Sequence, residues 1–539
     1  MEEKRKVKKM KMILALVLVA CLCLALFAAC AKTEEPASNN PSTSTDKPAD
    51  TSKPADTDKP AETDKPAAES KGLVPFEDER ELVVVLYDMR ATGEDYGDPV
   101  EEYCNGITKE TLNVVCDYQW VIPGNWANKV DVGLSSGERI DVLNLNPMTR
   151  ASKYYPTGQL MRLNEYIEDY APEAYELTKE YIGTYTFDGN IVGFPTVRNY
   201  CKNGYVLMRT DVLEELGMVD KALNMTTWTE FEEILQAVKE NYEGVYAPIG
   251  MSSPASADNF APGENFSDCF PYDNMGDSVG VLYADQESGK VKFIQEEEVY
   301  QYNLRRLQRW WDNGWMWQES AFTTEFVDVV MSRNVLFCNI CGSEYGVEAT
   351  KETAYGFDLT VTQFVTGMVK TNQPTFTGIA VPITAEEPEA AVAFINELYT
   401  NPDLAMALVY GVPGKDYNIE NGEVVRTPDA GFLSIDFVLG NNYLLKPLQG
   451  TGPDFYEVVK QINATADKSK FLGFNITTTD MDMWLSQIST VTDQYNKSIM
   501  YGGFSDEVMA EYIGKLEQAG VRDYQAAAQE QLDAFVAAK

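Results

Sequence analysis

The alternation of strand-like and helix-like patterns within residues 82–146 constrains the fold more than any other feature of this chain. Runs rich in β-branched and aromatic residues predict strands at residues 82–88, 113–120 and 140–146. Before the last of these, the apolar spacing Trp126–Val130–Leu134 is typical of an amphipathic helix, and Gly137 suits the end of that helix. The order of strand, helix and strand predicts an α/β domain with a doubly wound sheet.

Capping signals indicate two helices further along the chain. Residues 187–218 predict a hairpin, a strand and a helix for which Thr210 or Asp211 would be the N-cap. Glu230, three residues after Thr227, completes the capping-box pattern of the next helix. Packing in the protein core is expected for the tryptophan side chains at positions Trp126, Trp228, Trp310, Trp311, Trp315 and Trp317.

The first thirty residues have the pattern of an export signal. Residues 1–12 carry six Lys and Arg side chains, and residues 12–29 carry no charge. Ala28 and Ala29 precede Cys30, with Leu26 and Phe27 before them, which resembles the bacterial lipobox. We therefore expect residues 1–29 to be a signal peptide and Cys30 to carry a diacylglycerol anchor at the outer face of the cell membrane. An uncleaved membrane anchor is the alternative, because the apolar run approaches membrane-spanning length.

Residues 30–72 predict a tether without a core. They consist mainly of Thr, Asp, Lys, Pro, Ala, Glu and Ser, and a six-residue repeat begins at Thr45, Thr51, Thr57 and Thr63. Such a composition cannot bury enough apolar surface to fold, and its prolines favour extended polyproline II. We expect the folded part to begin near Leu73.

Charge and the absence of histidine exclude several classes of function. The chain has 44 Lys and Arg against 83 Asp and Glu, a formal net charge of −39, and an acidic surface repels the phosphates of nucleic acid. Without histidine there can be no Ser-His-Asp or Cys-His catalysis and no His-ligated metal. Hydrolysis by a pair of carboxylates remains chemically open.

Five stretches, in order along residues 78–539, carry a resemblance to a known family. The stretches are LSSGERIDV, GNIVGFPTV with YVLMRTDVLEELGM, TTWTEFEEIL, GIAVPITAEEPEAAVAFINELYTNPDLA, and GFNITTTDMDMW with the final helices. The chain resembles the family 1 extracellular solute-binding proteins of ABC importers. It is most similar to the lipoprotein branch in which the C-terminal part is a separate domain.

The resemblance implies a type II periplasmic-binding-protein-like fold, in which two α/β lobes are joined by crossing hinge strands. Lobe 1 would comprise residues 73–195 and about 376–415, and lobe 2 residues 196–375 and about 416–539, including a C-terminal helical region. The resemblance also implies a monomer that is not an enzyme, needs no cofactor, and delivers a solute from the interlobe cleft to an ABC permease. Such cleft closure around a solute couples occupancy to shape.

Binding residues are expected where strands end and where the chain crosses between lobes. The first lobe would contribute the loops after its first and third strands, and the crossing segment GFPTVRNY would form the cleft floor. In lobe 2 the resemblance places an aromatic ring that stacks on sugar within CGSEYG, and a further loop precedes the final helices. The candidate contacts are Asp88, Arg90, Asn144, Asn146, Tyr155, Arg198, Asn199, Tyr200, Glu344, Tyr345, Phe474 and Asn475.

The ligand is expected to be a carbohydrate, with an oligosaccharide favoured over a single sugar. Aromatic and amide side chains suit the apolar faces and the hydroxyls of sugars. The same scaffold holding a peptide or another small solute is the alternative, and an exported glycoside hydrolase is a third. Six cysteines follow Cys30; their number permits disulfides without defining the pairs, and the lone CNIC spacing does not predict a zinc site.

Overall fold

The computed structural model describes residues 73–88, 96–245, 247–250, 263–266, 270–322, 327–478 and 481–539. The expected signal peptide, the lipidation site Cys30, the tether and the candidate contact Arg90 lie outside the described residues. Cys269 is also outside them, and the described cysteines Cys104, Cys116, Cys201, Cys338 and Cys341 are free thiols.

The described residues form strands that are mostly short. In chain order they are β1 (Arg80–Tyr87), β2 (Val114–Val121), β3 (Val142–Leu145), β4 (Thr186–Phe187), β5 (Asn190–Ile191), β6 (Gly193–Pro195), β7 (Asn203–Arg209), β8 (Ala247–Gly250), β9 (Tyr272–Asp273), β10 (Leu282–Asp285), β11 (Val291–Phe293), β12 (Leu336–Ser343), β13 (Leu359–Val365), β14 (Gly378–Ala380), β15 (Tyr417–Glu420) and β16 (Glu423–Arg426).

The helices flank these strands and fill the C-terminal region. They are α1 (Asp98–Thr111), α2 (Pro123–Ser136), α3 (Ala151–Tyr154), α4 (Ile167–Tyr170), α5 (Pro172–Thr178), α6 (Thr210–Leu216), α7 (Val219–Asn224), α8 (Trp228–Asn241), α9 (Glu298–Asp312), α10 (Val327–Met331), α11 (Val347–Tyr355), α12 (Pro388–Thr400), α13 (Pro402–Tyr410), α14 (Phe455–Thr465), α15 (Asp482–Met500), α16 (Asp506–Gln518) and α17 (Val521–Ala538). Within the described part of the chain, no helix combines the length and apolarity that crossing a membrane requires.

The first lobe is built on a five-stranded sheet in the order β2-β1-β3-β14-β6. β1 is parallel to both β2 and β3, whereas β14 runs antiparallel to β3 and β6. Alternate residues of β1 enter different apolar clusters: Val84 packs with residues of α12 and α13, and Val85 packs with Trp126 of α2. Helices therefore cover both faces of the sheet, which confirms the doubly wound arrangement.

The second lobe has a four-stranded sheet in the order β13-β7-β12-β8. β7 runs antiparallel to β12 and β13, and β8 is parallel to β12. Residues of α15, α16 and α17 share one apolar cluster with β7, α8 and α9, so the C-terminal helices are part of this lobe's core. Trp228 and Trp310 are fully buried in that cluster, as expected.

Two helix starts show where local signals succeed and fail. The capping box at Thr227 and Glu230 is present in both directions. At α6, however, the N-cap is Arg209, and the residue makes no side-chain capping bond. Asp211 instead accepts bonds from the Arg209 guanidinium, so the carboxylate expected to cap the helix is used in an ion pair beside it.

Residues 417–456 differ from the expected lobe boundary. The sequence places the region from about 416 onward in lobe 2, but Tyr417, Phe432, Val438 and Tyr456 belong to the apolar cluster of lobe 1. Because α12 and α13 already pack in this cluster, the chain stays on lobe 1 through this segment. The chain joins lobe 2 only after this segment.

The hinge is formed by segments 196–202 and 366–377, which connect the two large sheets. A Cβ on Gly367 would lie 1.9 Å from the Lys202 carbonyl oxygen, so the backbones cross in direct contact. α14 lies beside this crossing. Its Asn463 accepts a bond from the Tyr200 backbone N–H (3.0 Å) and donates to the Arg198 carbonyl (2.6 Å).

We predict that Gly367→Ala destabilises the protein by about 1–3 kcal/mol, the usual cost of forcing extra atoms into a packed site. The methyl group meets backbone, which cannot rotate away as a side chain can. Urea unfolding of the two proteins measures the difference.

Gly106→Ala is the matched control for that substitution. Gly106 is exposed within α1, and a Cβ there meets nothing within 4 Å. Alanine in a helix interior is favoured over glycine by about 0.5–1 kcal/mol, so this variant should be slightly more stable. Equal stability of Gly367→Ala and the parent would show that the crossing tolerates a side chain.

Candidate functional site

Three adjoining cavities lie along the cleft between the lobes. The central cavity has a volume of about 450 Å³ and contacts Pro147 and Arg150 of lobe 1, Phe270 and Gly342 of lobe 2, and the crossing segments. The hinge cavity, about 290 Å³, shares Lys202 and Gly342 with it. The outer cavity, about 600 Å³, shares Pro147 and Arg150 with it. The shared residues make the three cavities one groove, in the size range of a small-molecule site.

The central cavity combines aromatic rings with amides and hydroxyls. Phe376, about one-third exposed, stands on one crossing segment, and Phe270 comes just before β9. Polar groups line the walls between them, from residues Asn203, Asn274, Thr366, Asn372, Gln373 and Thr375. A flat apolar ring beside amides can contact the C–H face of a ligand while its hydroxyls are hydrogen-bonded.

The hinge cavity lies at the carboxyl end of β12. Its lining includes Asn199, Glu344, Tyr345 and Phe455. Tyr345 is 41% exposed, and its ring packs beside Phe455 with centroids 5.8 Å apart. The pair presents an accessible aromatic surface to the cavity. Asp436, from the segment of residues 417–456 that packs on lobe 1, lines the same hinge cavity.

The Arg198 side chain connects the residues that form the wall between the central and hinge cavities. The side chain is almost fully buried and donates to Glu344 (3.2 Å) and to the carbonyls of Asn199 (3.3 Å) and Gln373 (3.2 Å). Its guanidinium carbon lies 5.1 Å from the centroid of the Phe376 ring. One cation therefore ties both crossing segments and the β12 terminus together.

Burial shifts the pKa values of the ionisable groups around this wall. The pKa of Glu344 is raised by burial, with a smaller contribution from Asp436, and this rise is opposed by Arg198 and Lys202. The pKa of Lys202 is lowered by burial and by Arg198, while Glu344 opposes the change. Removing water from a charge favours the neutral form, so these groups carry charge here at a free-energy cost.

Some of the predicted contacts meet at the groove. Asn199, Glu344 and Tyr345 line the hinge cavity, and Arg198 lies directly behind them. Asn146 comes just before Pro147 at the junction of the central and outer cavities. Its buried amide nitrogen has no hydrogen-bond partner among the described residues. Whether these side chains contact ligand stays a prediction.

Other predicted contacts lie in the core instead of along the groove. Asn144 donates to the Val438 carbonyl (2.8 Å), and Asp88 accepts from the Tyr96 hydroxyl, which also donates to the Leu433 carbonyl. The segment around residues 432–438 thus covers the strand ends of lobe 1. Asp88 and Asn144 were expected to contact ligand because they lie where the first and third strands end, and binding loops are expected there.

The remaining predicted positions are also used within the protein. The Tyr200 hydroxyl donates to the Thr196 carbonyl (2.7 Å) in a fully buried site, and the buried ring of Phe474 packs against Phe535. Tyr155 bonds Asp188 and Asn190 away from the cavities. Asn475 donates to the Thr184 carbonyl (2.8 Å), a hydrogen bond from lobe 2 to lobe 1, and it also lines a small pocket that shares Arg150 and Thr375 with the central cavity.

Most of the groove lining was missed by the sequence reasoning, including the cations Arg150 and Lys202 and the rings of Phe270 and Phe376. These four residues lie in segments without helix or strand periodicity, so the sequence pattern there does not predict the direction in which a side chain points. Lys202 was detectable, since it lies two residues after the predicted floor residues Arg198–Tyr200. In the described part of the chain, no group of three or more Cys, Asp or Glu residues is arranged to hold a metal ion.

Comparison with known families agrees with this architecture. A family profile described as bacterial extracellular solute-binding protein matches residues 114–414. The chain belongs to this family. A second profile, described as a domain of unknown function (DUF3502), matches residues 470–537, which contain α15–α17. This second match covers the region that the resemblance assigns to a separate C-terminal domain.

Individual relatives span nearly the whole folded part. A carbohydrate ABC transporter substrate-binding protein of Streptococcus pneumoniae is 24% identical over 432 residues, 77% of this chain and 83% of the relative. The N-glycan transport solute-binding protein NgtS of the same species superposes with a TM-score of 0.73 at 20% identity, over 84% of this chain and 99% of NgtS. The calcium-free alginate-binding protein AlgQ2 superposes at 0.61 with 18% identity, over 86% and 100%.

These structural likenesses establish the fold of the chain. It is the two-lobe, type II solute-binding arrangement, with crossing hinge segments and a groove between the lobes. Members of this family bind solutes outside the cell.

Proposed function

We propose that this protein is a lipid-anchored receptor of an ABC importer that binds an oligosaccharide in the interlobe groove and delivers it to the permease. The observation that carries the proposal is the pairing of accessible rings with amides along connected cavities. Phe376 stands partly exposed in the central cavity, where the buried Phe270 forms part of the wall, and Tyr345 and Phe455 stand in the hinge cavity. Rings spaced along one groove suit successive sugar units of a chain.

The named ligands of the relatives support the same class of solute. One relative is a carbohydrate transporter component, another serves N-glycan transport, and a third binds alginate. All three names refer to saccharides. A peptide ligand is the alternative, and none of these three names refers to a peptide.

The anchor and the permease complete the proposal. The lipobox-like sequence before Cys30 and the uncharged run of residues 12–29 support export and lipidation. A tethered receptor at the outer membrane face stays close to its permease, which raises the effective concentration of the pair.

A thermal-shift screen tests the ligand class. Ligand that binds only the folded state raises the melting temperature with concentration, so oligosaccharides should give concentration-dependent shifts. Peptides of similar mass form the second arm. Shifts with peptides and none with any saccharide would contradict the proposal. Sustained release of product from glycans would instead indicate a hydrolase.

We predict that Tyr345→Ala weakens oligosaccharide binding by about 1–3 kcal/mol, the scale of a lost stacking contact together with hydrogen bonds left unpaired. The ring is exposed to the hinge cavity, so its removal should leave the fold intact. Isothermal titration calorimetry measures the affinity, and circular dichroism checks folding.

Tyr345→Phe separates stacking from hydrogen bonding in the same experiment. The phenylalanine keeps the ring beside Phe455 and loses only the hydroxyl. We expect this variant to bind nearly as tightly as the parent. If the alanine variant also binds normally, Tyr345 is not part of the binding surface.

Mass spectrometry of the mature protein tests the anchor. The N-terminal peptide should begin at Cys30 and carry the mass of a diacylglycerol group. Cys30→Ala should release the protein from the membrane fraction or block its processing. An unmodified Cys30, or cleavage at another position, would remove the anchor from the proposal and leave the receptor role untouched.

A further inference from the structure

The central cavity has a charge opposite to that of the protein as a whole. Acidic residues outnumber basic ones by 83 to 44 in the chain. The described residues that line the central cavity nevertheless include Arg150, Lys202 and Lys370 and no carboxylate. This excess of basic residues makes the central cavity chemically distinct from the acidic surface around it.

Lys202 is a cation without a counter-ion in contact. The side chain is half-buried, and its ammonium forms no hydrogen bond or ion pair with any residue that the structure describes. The ammonium lies 5.5 Å from the centroid of the Phe376 ring, on which Arg198 also packs. The nearby carboxylate of Glu344 is hydrogen-bonded to Arg198. Burial, and then the charge of Arg198, lower the pKa of Lys202, and Glu344 opposes this change only in part.

Arg150 provides a second cation at the other end of the cavity. One of its terminal nitrogens donates to the Gly276 carbonyl (2.9 Å) across the cleft, and its Nε lies 3.4 Å from the Pro147 carbonyl. Its partners are neutral carbonyls. The closest acidic influence is Asp277, which already accepts three backbone N–H groups and the Tyr524 hydroxyl.

We propose that the receptor selects negatively charged oligosaccharides and that the anionic group, a carboxylate or a sulfate, lies in the central cavity between Lys202 and Arg150. This inference rests on the proposed saccharide function. Charge-assisted hydrogen bonds from ammonium and guanidinium groups are the strong contacts available to such a group. The acidic side chains Glu344 and Asp436 line the neighbouring hinge cavity, which favours binding of neutral sugar units there.

Matched ligands test the charge itself. Tetragalacturonate and its fully methyl-esterified form have the same sugar backbone but differ in charge, and a sulfated galactan tetrasaccharide and its neutral, unsulfated form make the same comparison for sulfate. Calorimetry at low and high salt should give tighter binding of the acidic member, and its advantage should shrink as salt screens the contact. Tighter binding of both neutral esterified and unsulfated forms would overturn the inference.

Variants test the location. Lys202→Gln and Arg150→Gln should each reduce the affinity for the acidic ligand by about tenfold or more, the scale of one charge-assisted bond, and change the neutral ligand far less. Lys129→Gln is the matched control, because Lys129 lies on α2, outside the cavities, and pairs with Glu138. Unchanged charge preference in both cavity variants would overturn the proposed position.

The outcomes separate this inference from the proposed function. If neutral oligosaccharides bind and acidic ones do not, the receptor role stands and the charge selection is wrong. If no saccharide of either kind binds in the thermal-shift screen, the proposed function itself fails. A preference for acidic ligand that Lys202→Gln abolishes supports both.

Discussion

The backbone crossing at Gly367 and Lys202 is the constraint on which the rest of the cleft depends. The two connections between the sheets pass so closely that no side chain fits at Gly367. Both residues also line the central cavity, so the tightest point of the hinge is part of the groove wall. A ligand in that cavity would contact backbone that must move when the lobes rotate. Contact of this kind is how hinge proteins couple occupancy to shape.

Polar side chains offset the free-energy cost of burying this backbone crossing in an otherwise apolar region. Backbone groups that leave the sheets at the hinge lose their strand partners, and buried unpaired groups are costly. Asn463 supplies both a donor and an acceptor to the crossing segment, and Arg198 bonds two carbonyls there. Arg198 also reaches Glu344 at the end of β12. The residues that stabilise the hinge thus also fix the geometry of the hinge cavity.

Local pattern was sufficient to predict much of the fold and a part of the site. The first three strands were predicted to within about two residues, because their apolar runs are contiguous, and the capping box at Thr227 needs only four residues. Glu344 and Tyr345 were located because they follow a strand directly. Residues 417–456 pack on lobe 1 through long-range contacts, and no local hydrophobic period in the sequence predicts such contacts. This segment covers the strand ends at Asp88 and Asn144, two residues that were expected to contact ligand because they lie where the first and third strands end.

The charge of the whole chain and the charge of the groove have different physical ranges. At physiological ionic strength, exposed charges are screened beyond about 8 Å, so the surface carboxylates act mainly on solubility and on contacts at the surface. Partly buried groups are screened much less. A few cations around Phe376 can therefore determine the local potential inside the cleft of a chain with a net charge of −39. The composition of the chain argues against nucleic acid as a partner, yet it carries no information about which charge the cleft would favour, since that depends on which side chains the hinge brings together.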